Sequence, residues 1–242
     1  MIEYKIKKKV SSSQIDTTIP NDKPIVFWDT CSLLYIISIP LRDAFGDYNV
    51  YSQLLKHIED GDILSVTSTV VFEEFKQHAD VLYNDILKDE SRLVNIYKNY
   101  AKLIGDPDKT VINDAASRIH LSDILVDVSN RVWSNTYVIN EDNLYKDIAH
   151  YRVMNKMSPA REKGEYKDSY IWASFMDMSQ KLNNGLLRAF MTDNTEDYCD
   201  FDGKKVKGLQ PQIEIDCNTV HAEFFWKTGQ LYHRIIEVLG LP

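Results

Sequence analysis

Cysteine is scarce in these 242 residues: Cys31, Cys199 and Cys217, none in a CxxC pair. That excludes a disulfide scaffold and argues against a thiolate zinc site. Glycine (9) and proline (7) are too few for a collagen-like or low-complexity chain. The longest apolar stretch, Leu33 to Leu41, is too short to span a bilayer and contains Ser38 and Pro40. The first residues, MIEYKIKKKV, lack the apolar core and small-residue cleavage site of a secretory signal. The expectation is a cytoplasmic protein with no membrane partner. Serine-nucleophile elbows, P-loops and dinucleotide glycine fingerprints are missing too, and no His pair has metal-ligating spacing.

Positive charge is also in deficit. The 28 basic and 36 acidic side chains give a net charge of −8, which argues against coating nucleic acid by bulk electrostatics. It leaves open a nuclease whose site is itself built from carboxylates. The average hides two local excesses. The first ten residues carry four lysines against one Glu, and Lys146 to Lys167 carries six cations against three acids.

Apolar residues make up 44% of the chain, enough for one large α/β domain. Residues 1–23 read as a polar, partly ordered arm, and 24–242 as a single domain. PIVFW (24–28), ILSVT (63–67) and LLRAFMT (186–192) read as buried strands. QIEID (212–216) is a weaker strand candidate. Helices are expected from Cys31 to Ile39, from Tyr48 to Glu59 and from about Thr69 onward. The middle region, about 106–160, reads as helical with no convincing strand. The tail at about 219–239 reads as an amphipathic helix. Strands separated by helices imply a three-layer α/β/α sandwich with a mostly parallel central sheet and a helical insertion. In such sheets, chemistry sits beyond the carboxyl ends of the strands.

Acids recur at those ends. The first strand runs into Asp29-Thr30. Beyond the second, Val71, Phe75, Ala79, Leu82 and Ile86 form a helical stripe. On that wheel Glu73 points roughly 160° from the stripe centre and Glu74 roughly 100°. Glu73 should face water, and Glu74 should lie at the border of the core. Asp168 opens a helix whose Ile171, Trp172, Phe175, Met178 and Leu182 follow at helical spacing. The late strand ends in Thr192-Asp193-Asn194-Thr195-Glu196-Asp197-Tyr198. Each acid also has a plainer reading: Asp29 as a helix cap, Glu74 as a solvated helix acid, Asp168 as a helix-dipole partner, Asp193 and Asp197 as turn formers. Converged, they would form an all-oxygen cluster suited to Mg²⁺ or Mn²⁺.

These four motifs together resemble the PIN domain family. They are the strand into Asp29-Thr30, then Val70-Val71-Phe72-Glu73-Glu74-Phe75, then Lys163-Gly164-Glu165-Tyr166-Lys167-Asp168-Ser169-Tyr170-Ile171-Trp172, then Phe190-Met191-Thr192-Asp193-Asn194-Thr195-Glu196-Asp197-Tyr198. The resemblance runs over roughly residues 24 to 200. It implies a metal-dependent nuclease, most often acting on RNA, with Asp29, Glu74 and Asp168 as its first three acids. The last motif falls on Thr192, Asn194 and Asp197-Tyr198. Asn194 departs from members with Asp there and removes one charge, for which Asp193 would compensate. Which of Asp193, Asn194 and Asp197 ligate stays open.

The expectation is then a Mg²⁺- or Mn²⁺-dependent endoribonuclease, RNA ahead of DNA as substrate, with a metal-activated water attacking the phosphodiester. Thr30, Arg161, Lys163, Lys167 and Thr192 are candidate substrate contacts. Lys146, Arg152 and Lys156 would grip phosphates, and Tyr145, His150, Tyr151 and Tyr166 would stack on bases. A solvated helix face with ordinary aromatic packing is the plainer reading of that stretch, and solubility the plainer reading of the N-terminal lysines. The rival expectation is a catalytically weak PIN-like module that binds RNA or protein. An aspartyl phosphatase built on Asp29 would want a second Asp two residues on, where Cys31 stands. An inhibitory protein partner, as in toxin–antitoxin pairs of this family, and an oligomer through the 219–239 helix complete the expected partners.

Overall fold

The computed structural model describes residues 3–38, 45–103, 121–161, 165–183 and 185–241. Among them the strands are Lys8–Val10 (β1), Ile25–Trp28 (β2), Leu64–Ser68 (β3), Thr136–Ile139 (β4), Arg188–Met191 (β5), Cys199–Asp202 (β6), Lys205–Leu209 (β7) and Glu223–Phe225 (β8). Six of them form one parallel sheet in the order β1-β4-β3-β2-β5-β8. β6 and β7 form a separate antiparallel hairpin.

Every residue of β2, β3, β4 and β5 is buried. A strand covered on both faces reads as a continuous apolar run for that reason. Arg188 is tolerated inside β5 because its guanidinium donates to the Leu182 and His221 carbonyls and to Asn183. The covering helices are Ile15–Thr18 (α1), Thr30–Ser38 (α2), Phe45–Glu59 (α3), Thr69–Leu103 (α4), Leu121–Trp133 (α5), Asn143–Met154 (α6), Tyr166–Lys181 (α7), Pro211–Val220 (α8) and Thr228–Leu239 (α9). The fold is an α/β/α sandwich. Among the described residues no helix is long and apolar enough to cross a membrane.

Two apolar stripes dock the helices that carry the acids. Val71, Phe75, Ala79 and Ile86 of α4 are buried, with Phe72 and Phe75 edge-on to Trp133 at 4.7 and 5.0 Å. Ile171, Trp172, Phe175 and Met178 of α7, with Leu182 just beyond it, are also buried. Trp172 meets Phe190 of β5 edge-on at 5.1 Å and Tyr198 at 5.7 Å. Aromatic pairs at these separations add about 0.5–1.5 kcal/mol each beyond area burial.

Four local expectations change. Residues 8–10 of the expected arm pair with β4, and Val10, Ile15 and Ile19 are buried, so this segment is tied into the sheet. Its lysines mark an edge strand, with Lys8 and Lys9 exposed. β4 lies inside the stretch read as helical. QIEID belongs to α8, because Ile213 and Cys217 stand one turn apart and share the buried face, and Pro211 starts the helix. The expected 219–239 helix begins only at Thr228, after β8. Part of the 106–160 region lies outside the described residues.

The chain runs from β2 through β3 toward one edge, then returns to β5 on the other side of β2 and ends at β8. The topological switch point is thus between the carboxyl ends of β2 and β5. There the crevice of an open α/β sheet forms.

Candidate functional site

Trp28 and Met191 are paired in register, so Asp29 and Thr192 emerge side by side from β2 and β5. Asp29 is 3% exposed. Its Oδ1 accepts from the Thr30 backbone N–H at 2.7 Å, and its Oδ2 from the Thr192 hydroxyl at 2.7 Å and the Cys31 thiol at 3.2 Å. Burial raises its pKa, these three donors oppose the rise, and nearby Glu74 adds to it.

Thr30 opens α2 and donates its hydroxyl to Oε2 of Glu74 at 2.7 Å. Glu73 is exposed and Glu74 half-buried, as the helical wheel requires. Lys167 reaches Oε1 of Glu74 at 3.3 Å from the rim. Asp168 sits in the first turn of α7, half-buried. Among the described residues no hydrogen bond or ion pair holds its carboxylate. Burial first, then the charges of Asp29, Asp197, Glu165 and Glu74, push its pKa up to about 8.

The loop after β5 divides its residues. Asn194 donates its backbone N–H to Thr192 Oγ1 at 2.9 Å and its amide to Oδ2 of Asp197 at 2.7 Å. Both line the same cleft as Asp29, Thr30, Glu74, Lys167 and Asp168. Asp193 is exposed and lines a different cavity, beside Tyr35 and Trp226. Arg161 lines a third hollow with Asp197 and bonds Asp200 at 3.2 Å. Lys163 lies outside the described residues.

The wider set of cations and rings separates. Arg152 is buried, its guanidinium bonded to Asp216 and to the Ser158 carbonyl, with Trp172 Nε1 donating to the same Asp216 at 2.9 Å. It is spent on structure and cannot grip a phosphate. Tyr145 is fully buried with its hydroxyl on Asp177 at 2.6 Å, so it cannot stack on a base. Tyr151 and Tyr166 are exposed. Lys146 pairs with Glu141 at the surface.

Cys31 is the residue that sequence reasoning left out. Its sulfur accepts from the Asp193 N–H at 3.1 Å while its thiol faces Asp29, cross-linking the start of α2 to the loop after β5. Burial and the Asp29 charge raise its pKa far above the usual thiol range, so it is no thiolate at neutral pH. Its position two residues beyond the strand-end acid was the available signal. His78, one turn after Glu74, also lines the cleft.

Among the described residues no three Asp, Glu, His or Cys side chains stand in a metal-ligating arrangement. Thr30, Thr192, Lys167 and Asn194 engage the carboxylate oxygens that a cation would take. The donor chemistry itself fits a hard divalent ion: the carboxylates of Asp29, Glu74, Glu165, Asp168 and Asp197 and the amide oxygen of Asn194 line one cleft. Beside them the Tyr198 hydroxyl is buried with no partner among the described residues, its pKa raised by burial and by Asp29 and Asp168.

A parallel α/β sandwich with acids gathered at its switch point defines the class. The PIN domain model matches residues 26–198, more than half the chain, and the chain belongs to the PIN domain family. PIN domains are generally metal-dependent nucleases. No curated protein and no solved structure matches the chain.

Proposed function

We propose that the protein is a divalent-metal-dependent endoribonuclease. The observation that carries this reading is the arrival of Asp29, Glu74, Asp168 and Asp197 from four separate elements at one cleft. Burial, and after it the charges of Asp29, Asp197, Glu165 and Glu74, raise the Asp168 pKa to about 8, so the acids meet there with their charge partly uncompensated. Asp29, Glu74, Asp168 and Asp197 would hold Mg²⁺ or Mn²⁺, with Asn194 at the border of the set. When bound, such an ion supplies a Lewis acid for the phosphodiester and lowers the pKa of water.

The chain's own residues set the rest. Thr30 and Thr192 fix the rotamers of Glu74 and Asp29. Lys167, exposed at the rim, offers an ammonium to the phosphate. Cys31, held as a thiol, is no nucleophile, which leaves water to attack the phosphorus in line. RNA ahead of DNA, and action inside the cell, are part of the same proposal.

The test is cleavage of single-stranded RNA in Mn²⁺. Wild type should cut and Asp29→Asn should not; equal cutting by both refutes the assignment. The second reading, a PIN module that binds without cleaving, is favoured by one observation: the Asn194 amide occupies Asp197 where an acid would add charge. Calorimetric titration with Mn²⁺ separates the two, since a site that takes up no metal belongs to the binding module.

A further inference from the structure

Two cavities share the wall made by α2 and the loop after β5. Cys31 and Leu34 face the acid cleft, and Tyr35 lines its neighbour. Asn194 and Asp193 divide in the same way. The neighbouring cavity, about 500 Å³, is bounded by Tyr35, Trp226, Lys227, His233, Gly229 and Asp193.

We propose that this cavity is a subsite for a ribonucleotide flanking the scissile phosphate. The inference rests on the endoribonuclease reading of the acid cleft and names how that cleft takes its substrate. Two half-buried rings carry it. Tyr35 leans on buried Tyr51 with centroids 5.4 Å apart, and Trp226 packs on Phe224 at 6.2 Å. Both are anchored from within and reachable from the cavity, the arrangement of a base-stacking platform. Lys227, exposed beside Trp226, supplies a cation for the phosphate of the stacked nucleotide. Asp193 supplies a carboxylate acceptor for a ribose hydroxyl, a group DNA lacks at the 2′ position. The backbone of Asp193 is pinned to Cys31 by its N–H, so the subsite and the cleft are held in fixed relation. Gly229 provides a clean probe, because a Cβ there would meet nothing within 4 Å. Gly229 lines the cavity, so a side chain added there places its volume at the cavity wall.

The test titrates the full chain with a short fluorescein-labelled single-stranded RNA in EDTA, reading anisotropy, beside DNA of the same sequence. Trp226→Ala and Gly229→Val should each weaken RNA binding by about tenfold or more. Asp193→Asn should bring the RNA and DNA affinities together. Gly229→Val that melts like wild type and still binds RNA like wild type overturns the inference, as does a wild type that binds no RNA. An unchanged RNA preference in Asp193→Asn overturns the ribose contact. The two readings fail separately. RNA cut by wild type and by Gly229→Val alike sinks the subsite alone. RNA bound through Trp226 but never cut in Mn²⁺ sinks the nuclease alone.

Discussion

Thr30 donates its hydroxyl proton to Oε2 of Glu74 at 2.7 Å, so the residue after the first strand-end acid sets the rotamer of an acid on another helix. Thr30→Val keeps the shape and removes the donor. Loss of one such bond costs about 0.5–1.5 kcal/mol, or more when the orphaned partner carries charge. Cleavage should fall by about tenfold, mainly in kcat, with little change in melting temperature. Steady-state kinetics on a labelled RNA checks this.

Asp168 makes stability depend on pH in a particular sense. Its pKa is raised from 3.8 to about 8 in the folded chain, while the unfolded chain keeps the ordinary value. Between those pH values the folded state binds the extra proton, so stability falls as pH rises. Below the unfolded value both states are protonated and the effect vanishes. Asp168→Asn should therefore raise the melting temperature at pH 8 and leave it unchanged at pH 4, as scanning calorimetry would report. A gain confined to low pH contradicts the assignment.

A cation bound among the acids should reverse that penalty. Mn²⁺ at about a hundred times its Kd should stabilise the fold by about 2.7 kcal/mol, and EDTA should abolish the gain. Thermal melts of wild type against Asp29→Asn, with and without Mn²⁺, provide the measurement. An equal shift in both proteins would place the metal elsewhere.

Asp216 holds buried Arg152 and accepts from Trp172 Nε1, tying α6 and α8 to the helix that carries Asp168. Asp216→Ala leaves the guanidinium buried without its counter-charge, held only by the Ser158 carbonyl, which costs about 3–5 kcal/mol. Urea denaturation should show a midpoint lowered to match. The slope should be unchanged, since the surface exposed on unfolding stays the same.

What the sequence reveals follows what is locally periodic. β2 is legible because it is buried on both faces and apolar throughout, and β3 and β5 because apolar residues (Leu64 and Val66; Ala189, Phe190 and Met191) recur along their buried lengths. The placement of Glu73 in water and Glu74 at the core border follows from 3.6-residue geometry alone. β1 is hidden because only Val10 of its three residues is buried. QIEID alternates like a strand, yet Ile213 and Cys217 fit a helix as well, and tertiary packing decides between them. The β6–β7 hairpin carried an Asp202-Gly203 turn signal, with Gly203 at φ 61°.

In the site, the strand-end acids are legible from topology, but the division of Asp193 from Asn194 is not. Adjacent loop residues point into different cavities according to backbone turns that no periodicity encodes. Arg152 reads as a surface cation because its partner Asp216 lies 64 positions away.

The sheet is finished at one border by β1, before the family-matched span, and at the other by β8, after it. Trimming the chain to residues 26–198 would strip both rails and leave β4 and β5 with raw, unpaired backbone. Such edges invite strand-to-strand aggregation. β5 leads directly into Thr192, so a minimal expression fragment would damage the very corner it was cut to preserve.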